Sequence, residues 1–418
     1  MSLTEALDAL ARRYPGESGA RQPVHTVYGG AQLFKSDTTV KLGVVALRTL
    51  QEHGGAPAEF ARAIGVGEEL AETIHARVVD KLQHEPVEDF RIDFEDGYGN
   101  RPDDEEDGHA AAAAREVAAG MKSGTLPPFI GIRIKPFSQE LMPRAVRTAE
   151  IFLRTLLDAA GALPPWFVVT LPKIQVTEQV AALADLFDDL EPKLGLDAGA
   201  LKLEFMIETT QSIPILAQLP DAARGRAVAA HFGTYDYTAS CNITASQQRM
   251  DHPACDFARN MMQVAYAGTG LWLSDGATNI MPIGDRATVH AAWRLHADHI
   301  RHSLINAYYQ GWDLNPAQLP TRYAAVYSFF LEGLAAATER LRNFMEKVGQ
   351  ATLVGDVFDD AATGQGLLNY FLRALNCGAI TEEEALAPGL TLDELRSRSF
   401  VKILKGRRGA DDSRKLLS

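Results

Sequence analysis

Two acidic residues, Glu208 and Asp236, each lie at the end of a short apolar segment that predicts a β-strand, and their carboxylates suit Mg²⁺. Mg²⁺ commonly takes one or two protein carboxylates and completes its coordination with water and substrate oxygens. The chain has 3 cysteines, which are widely spaced, so no cysteine–histidine pattern indicates zinc instead. The pair therefore predicts a magnesium site, with Mn²⁺ as the alternative ion, where the two strands end.

A divalent ion at such a site supports a particular chemistry. It can chelate a 2-oxo acid through its carboxylate and carbonyl oxygens and act as a Lewis acid on the carbonyl, which stabilises an enolate. Arg133, on another predicted strand, can stabilise the same charge with its planar fork of donors. We interpret Asp93 or Glu95, on a third strand, as the base.

The segment FGTYDY, residues 232–237, would bring backbone amides close to a ligand. Gly233 has no Cβ and allows the backbone to approach closely, and the following amides could hold a carboxylate. We therefore expect Gly233, Thr234 and Tyr235 to bind substrate. The alternative is that Gly233 serves only as a turn residue.

Three of these strands have one apolar and one charged face. Side chains alternate between the faces of a strand, and this separates apolar from charged residues in 90–95, 130–135 and 201–208. In a barrel the charged face points to the centre, where charges persist only if they are paired or hold an ion. Part of the set is expected to form a structural salt-bridge network: Arg91, Asp93, Glu95, Arg133, Lys135, Glu204 and Glu208.

Position along the strand separates structural residues from active-site residues. Residues at the carboxyl ends of barrel strands face the active site. Arg91, near an amino end, is expected to be structural. The residues at carboxyl ends are Glu95, Asp96, Arg133, Glu208 and Asp236.

The strands must come from eight apolar segments that alternate with helical patterns. The segments are 24–29, 89–96, 129–136, 166–174, 200–209, 227–237, 271–276 and 311–316. Eight βα units in about 300 residues favour an α/β fold, a (β/α)₈ TIM barrel. A doubly wound open sheet is the alternative, but VYGGAQLF after the first strand lacks the dinucleotide fingerprint.

The pattern predicts two regions. Residues 1–322 form the barrel, with an N-terminal helix at about residues 1–20, and residues 323–418 form an all-helical C-terminal extension. The acidic segment 101–108 predicts an exposed loop, with a metal site as the alternative.

Composition excludes several classes of protein. Hydrophobic residues make up 46% and charged residues 23% of the 418 residues, which is typical of a globular protein. The net charge of -13 argues against nucleic acid as a partner. No run of 18 apolar residues occurs, so no membrane span is expected, and the few cysteines fit a cytoplasmic location.

The strand motifs resemble those of one superfamily and occur in the same order. It comprises citrate lyase beta-subunit-like proteins, malyl-CoA lyases and malate synthases, and the resemblance covers roughly residues 24–320. The motifs are DFRIDFEDGYG (89–99), GIRIKPF (131–137), TLPKI (170–174), LEFMIET (203–209), HFGTYDYTAS (231–240) and GWDLNPAQLP (311–320).

The resemblance implies a TIM barrel with Mg²⁺ on Glu208 and Asp236 and with Arg133 stabilising the enolate. It implies that the strand with Asp93, Glu95 and Asp96 orders water or supplies the base, that Lys173 binds substrate, and that the protein forms trimers or hexamers. The chain departs from the family at Lys135, where asparagine is usual, and at Asn315, where histidine is usual.

These observations lead to three hypotheses about function. The first is a Mg²⁺-dependent carbon–carbon lyase or synthase that acts through a metal-stabilised enolate on a 2-oxo or 3-hydroxy acid, or on its coenzyme A thioester. The second is a class II pyruvate aldolase that does not use coenzyme A. The third is a non-catalytic barrel that serves as a binding or assembly protein.

Overall fold

Eight parallel strands close into a barrel at the centre of the computed structural model, which describes residues 2–346, 352–354, 357–359, 361–399, 402–403 and 407. The last strand pairs with the first, so that His25 lies opposite Gly311 and Val27 opposite Asp313, which excludes the open sheet. The predicted α/β barrel is confirmed. The strands are β1 His25–Gly30, β2 Asp89–Asp93, β3 Phe129–Arg133, β4 Val168–Leu171, β5 Lys202–Ile207, β6 Ala227–Phe232, β7 Trp272–Ala277 and β8 Gln310–Asp313.

Helices connect the strands and cover the outside of the barrel. They are α1 Leu3–Arg13, α2 Thr38–Thr49, α3 Pro57–Ile64, α4 Ala71–His84, α5 Asp103–Ser123, α6 Met142–Ala160, α7 Thr177–Leu194, α8 Leu219–Ala222, α9 Thr234–Ser240, α10 Pro253–Tyr266 and α11 Arg286–Ile305. Among the helices of the described residues, none is both long enough and apolar enough to cross a membrane.

The acidic segment 101–108 is not a loop, contrary to the prediction. Helix α5 begins at Asp103, and its first turn holds Asp103, Asp104, Glu105 and Glu106. Negative side chains are stabilising there because the unpaired amides and the dipole give the start of a helix a partial positive charge. The acidic run is therefore part of a helix start.

Residue Asp236 does not lie on a strand, contrary to the prediction that a strand spans 227–237. Strand β6 ends at Phe232, Gly233 precedes the next helix, and Asp236 lies in the first turn of α9. The chain turns directly from the strand into a helix because each βα unit of a barrel must return over the outside. Asp236 still lies at the carboxyl-end face of the barrel.

Inside the barrel, charged side chains pair with one another below the carboxyl-end face. Arg91 is buried and forms ion pairs with Asp89 and with Glu204, the latter at 2.7 Å from Nη2 to Oε2. His231 Nε2 lies 2.9 Å from the same Glu204 oxygen. The predicted structural salt-bridge network is confirmed for these residues, and it fills the centre of the barrel.

The C-terminal extension comprises α12 Leu319–Glu346, β9 Thr352–Val354, β10 Val357–Asp359, α13 Ala361–Asn376, α14 Glu382–Leu386 and α15 Leu392–Ser397. Among its described residues the regular structure is helical apart from the antiparallel pair β9 and β10, which the sequence pattern did not predict. Helix α12 runs across the boundary predicted at 322/323, and residues 347–350 of the predicted helical extension lie outside the described residues.

The start of α12 is joined to the barrel through one buried carboxylate. Asp313, at the end of β8, accepts hydrogen bonds from Arg322 Nε at 3.1 Å and Nη2 at 2.9 Å. His25 Nδ1 lies 2.7 Å and His296 Nε2 lies 2.9 Å from its two oxygens. Asp313 therefore links β8, β1, α11 and α12.

Candidate active site

The acidic and basic residues predicted from the strand ends meet at the carboxyl-end face of the barrel. Asp93 ends β2 and Arg133 ends β3, while Glu208 directly follows β5. Lys173 follows β4, and its side chain reaches the acidic residues that follow β2. Four consecutive strands, β2 to β5, and the helix after β6 thus supply one site.

The Arg133 guanidinium is held in a fixed orientation by Asp93. Its Nε donates to Oδ1 at 2.7 Å, and its Nη2 donates to Oδ2 at 2.6 Å. The amides of Glu95 and Gly97 also donate to Asp93, at 3.0 and 2.7 Å. Both Asp93 oxygens are therefore occupied, and this bidentate geometry fixes the plane of the arginine.

Two further contacts complete the surroundings of Arg133. Its Nη1 lies 3.2 Å from Glu95 Oε2, and its Cζ lies 4.8 Å from the centre of the Tyr28 ring. Burial opposes the charge, but Asp93 and Glu95 outweigh it and hold the pKa of Arg133 well above its ordinary value. Arg133 is thus a permanent, preorganised positive charge at the floor of the site.

The Lys173 ammonium lies among the carboxylates of the site. It forms an ion pair with Glu95 and lies 3.2 Å from Asp96 Oδ2 and 3.7 Å from Asp236 Oδ1. Burial opposes its charge, but Glu208 and Glu95 raise the pKa of Lys173 above its ordinary value. A cation is therefore electrostatically favoured at this point, between the acids that follow β2 and those that follow β5 and β6.

The backbone of Lys173 contributes as well. Its φ of 53° lies in the left-handed region, which a non-glycine residue adopts at a cost. In this conformation its amide donates to Glu208 Oε1 at 2.7 Å. The strained turn after β4 therefore orients the Glu208 carboxylate.

Glu208 is the most strongly perturbed acid of the site. Burial and the neighbouring Asp236 charge raise its pKa to about 8, although Lys173 and Arg133 act in the opposite direction. The Asp236 side chain is 41% exposed and faces the opening. A divalent cation held by both carboxylates would relieve the repulsion that Asp236 exerts on the Glu208 charge, so the pair provides a binding site for such an ion.

Gly233 is required by the packing of Glu208. A Cβ at residue 233 would lie 2.6 Å from Glu208 Cβ and 2.6 Å from its Oε2, so any other residue would displace this side chain. The absence of a side chain at Gly233 thus brings the β6–α9 turn against Glu208.

The side chains of Thr234 and Tyr235 have partners away from the carboxylates. The Thr234 hydroxyl lies 2.9 Å from Met250 Sδ, and the Tyr235 hydroxyl donates to Ala277 O at 2.8 Å and accepts from the Asn279 amide at 3.0 Å. Tyr235 therefore ties α9 to the loop after β7. Only the backbone amides of these two residues remain for a substrate carboxylate.

Three residues beneath Arg133 were not identified as site residues from the sequence. The Tyr28 and Trp312 rings contact each other with their centroids 4.5 Å apart and their planes tilted by 40°. His231 Nδ1 lies 3.3 Å from the Tyr28 hydroxyl and 3.2 Å from Trp312 Nε1. Tyr28 is on the inward side of β1, and alternation from Thr26 could have indicated this.

A cleft of about 350 Å³ opens beside the acids, and Glu95, Asp96, Lys135 and Lys173 are among its lining residues. Lys135 is buried, donates to Phe94 O at 2.7 Å and lies 2.8 Å from Glu106 Oε2. The Lys135 charge is therefore neutralised by an acid on α5.

The donor set fits Mg²⁺ with few protein ligands. Within residues 2–346 and the other described segments, no cluster of three or more His, Cys, Asp or Glu side chains is arranged to hold a metal. Glu208 and Asp236 form a pair, and Mg²⁺ usually retains several waters beside one or two carboxylates. The residues present therefore suit Mg²⁺ better than Zn²⁺.

Binding of Mg²⁺ to this pair is expected to strengthen as the pH rises, because Glu208 must lose its proton to become a ligand. Without metal, Glu208 loses its proton near pH 8 in the folded protein and near pH 4.5 in the unfolded chain. Its stabilising contribution to the free energy of unfolding therefore decreases as the pH rises from about 4.5 to about 8. We expect the association constant to rise up to about tenfold per pH unit from about pH 6 to 8 and then level off. Isothermal titration calorimetry measures it, and an affinity that is constant over this range would contradict the role of Glu208.

The fold and the site together define a TIM barrel with a charged interior and an acidic, cation-attracting site at the carboxyl ends of its strands. The chain belongs to the family described as "Domain of unknown function (DUF6986)", whose model matches residues 3–403. Among curated proteins, no sequence matches this chain significantly.

Solved structures share the fold. A citrate lyase from Burkholderia xenovorans has a TM-score of 0.60 and 20% identity, with 89% of this chain and 97% of that chain covered. The native malate synthase of Haloferax volcanii has a TM-score of 0.51 and 12% identity, with 92% and 99% covered. The protein CitE from Mycobacterium tuberculosis, in complex with magnesium, acetoacetate and coenzyme A, has a TM-score of 0.50 and 15% identity, with 86% and 99% covered. The resemblance seen in the strand motifs is thus confirmed for the fold.

Proposed function

We propose that this protein is a Mg²⁺-dependent carbon–carbon lyase or synthase that acts on a 2-oxo or 3-hydroxy acid, or on its coenzyme A thioester. The proposal rests mainly on Glu208, which is buried beside Asp236 and has a pKa of about 8. The same point favours a cation, because the protein's own Lys173 ammonium lies there among four carboxylates. The citrate lyase and malate synthase with the same fold support it, as does a relative of this fold crystallised with magnesium and coenzyme A.

In this proposal Glu208 and Asp236 hold the metal, which when bound supplies Lewis acidity at the substrate carbonyl. Arg133 lies across the site and stabilises the negative charge that develops on the substrate oxygen. Asp93 is a positioning residue, because it is almost fully buried and binds Arg133 through both oxygens, whereas Glu95, whose oxygens also have partners, lines the cleft. The amides of Thr234 and Tyr235 and the Lys173 ammonium orient the substrate carboxylate.

We assign the base to Glu95 rather than to Asp93. Glu95 lines the cleft, where a substrate carbon can reach it. Burial raises its pKa, although Arg133 and Lys173 oppose the shift, so its affinity for a proton is higher than that of an exposed glutamate. Asp96, whose pKa is lowered by Lys173 against the effect of burial, stays ionised beside it and orders Lys173.

The second candidate function is a class II pyruvate aldolase that does not use coenzyme A. It is favoured by Lys135, which lines the described cleft but is buried and already paired with Glu106. The phosphates of coenzyme A need cations that are free to pair with them.

Enolate formation tests the proposal and separates the two candidates. We expect the protein with Mg²⁺ to exchange the methyl or methylene hydrogens of pyruvate, oxaloacetate or acetyl-CoA for deuterium, and EDTA to stop the exchange. Exchange of pyruvate alone identifies the aldolase, and exchange of acetyl-CoA identifies the thioester enzyme. Nuclear magnetic resonance measures the rate.

Variants show whether the site is responsible. Glu95→Gln should lower the exchange rate at least about 100-fold while Mg²⁺ still binds, since general base catalysis commonly contributes that much. Asp189→Asn, a change of the same charge on the exposed side of α7, is the control and should exchange normally. Absence of exchange with all three compounds would leave the non-catalytic barrel as the remaining hypothesis.

A further inference from the structure

Helix α1 carries an apolar stripe that nothing in the described chain covers. Leu3, Leu7, Leu10 and Tyr14 recur at the spacing that places them on one face of a helix, and they are between 39% and 75% exposed. Residues 3–13 are all described, and none of them is buried. The helix thus presents its apolar face to solvent.

The C-terminal end of α1 is attached to the barrel. Arg13 donates to Ala217 O and lies 3.3 Å from Asp221, and the Gly16 amide donates to Gly268 O at 2.8 Å. A helix of 11 residues is marginal in water by itself, even with a capping box such as that of Ser2 and Glu5. Its stability therefore requires a surface that packs against the stripe.

Helix α10 carries two further exposed apolar residues and ends close to where the chain leaves α1. Phe257 and Val264 lie on its outer face, 57% and 78% exposed, and its C-terminal end meets the chain after α1 at the Gly16–Gly268 hydrogen bond. We call the six residues Leu3, Leu7, Leu10, Tyr14, Phe257 and Val264 the α1–α10 surface. Exposed large apolar side chains of this kind mark an interaction surface.

We propose that the α1–α10 surface is an interface between two copies of this chain, with the two α1 helices antiparallel across a two-fold axis. A two-fold interface must be self-complementary, and the spacing of the stripe meets this condition. With the axis between residues 8 and 9, Leu7 lies opposite the partner's Leu10, and Leu3 lies opposite the partner's Tyr14. Ala6 and Ala11 border the stripe and allow the helices to approach closely.

Charge favours a second copy over a membrane surface. The chain has a net charge of -13, so two copies repel one another except where the local charge is balanced. Helix α1 is balanced, with Glu5 and Asp8 against Arg12 and Arg13. Helices that lie on anionic membranes instead carry a polar face rich in Lys and Arg.

The mass of the full-length protein in solution tests the proposal. Leu7→Glu/Leu10→Glu is expected to halve the mass measured by light scattering, because each copy would place two charges in an apolar contact. Val44→Glu makes the same kind of change on the exposed face of α2, across the barrel from α10, and should leave the mass unchanged. A wild-type monomer, or a double variant with the wild-type mass, would overturn the proposal.

Crosslinking tests the register. In Leu7→Cys/Leu10→Cys the partner cysteines face one another, so mild oxidation should give a covalent dimer on a non-reducing gel, and Val44→Cys should not. Sedimentation with anionic phosphatidylserine vesicles tests whether the stripe binds a lipid surface instead. Wild-type protein that binds the vesicles and remains a monomer would assign the stripe to a lipid surface and refute the interface.

Discussion

Replacing Glu208 by glutamine is expected to remove measurable Mg²⁺ binding and to lower kcat by about a thousandfold or more, a loss of ~4 kcal/mol of transition-state stabilisation. Glutamine keeps the size of the side chain, and its amide oxygen can still accept the Lys173 amide hydrogen that now bonds Glu208 Oε1 at 2.7 Å. It removes one of the two charges that attract the ion. Calorimetry with Mg²⁺ and the deuterium exchange rate measure the two effects.

The stability of this variant separates a lost ligand from a lost fold. The buried Glu208 carboxylate lies beside Asp236 and keeps its proton up to about pH 8, so its ionisation costs free energy in the metal-free protein. Glutamine has no proton to retain, so we expect the metal-free Glu208→Gln protein to match wild type near pH 4.5 and to be more stable than wild type at pH 7 and above. A variant that binds Mg²⁺ with wild-type affinity would show that Glu208 is not a ligand.

Replacing Asp313 by alanine is expected to lower the free energy of unfolding by about 3–5 kcal/mol, because one partner of a buried ion pair would be left uncompensated. Arg322 is buried and bonds Asp313 through Nε and Nη2, and His25 and His296 bond the same carboxylate. The change would disconnect β8, β1, α11 and α12 at once. Urea unfolding followed by circular dichroism measures the change.

The matched control is Asp298→Ala on α11. Asp298 also pairs with an arginine, Arg294 at 3.1 Å, but both side chains are 54% exposed. Exposed i,i+4 pairs contribute only about 0.3–0.5 kcal/mol. Equal urea midpoints for the two variants would mean that the Asp313 cluster does not join the extension to the barrel.

Alternation along single strands was sufficient to predict the charged interior of the barrel. The segment with Arg91 and Asp93 and the segment with Glu204 each separate apolar from charged residues at every second position. This signal is local, so it needs no knowledge of the neighbouring strands. The rule that active sites lie at the carboxyl ends of barrel strands then selected Arg133 and Glu208.

Signals that depend on context were read incorrectly or missed. The acids of residues 101–108 suggested a loop by composition, whereas their position before an apolar, alanine-rich segment makes them the first turn of α5. Helices α3 and α4 were not predicted, although Phe60, Ile74 and Val78 are buried on them. The apolar residues of these two helices form a buried face only because α3 packs against α11 and α4 packs against α12.

The sequence by itself determined that a charged barrel presents Glu208, Asp236 and Arg133 at one face, because strand alternation and βα order are properties of short segments. The tertiary structure decided what each group can do. It brings Arg133 onto Asp93, 40 residues away, and leaves Glu95 at the cleft, and it raises the pKa of Glu208 through burial and Asp236. These properties depend on distances and solvent exclusion among residues far apart in the chain, which no local pattern contains.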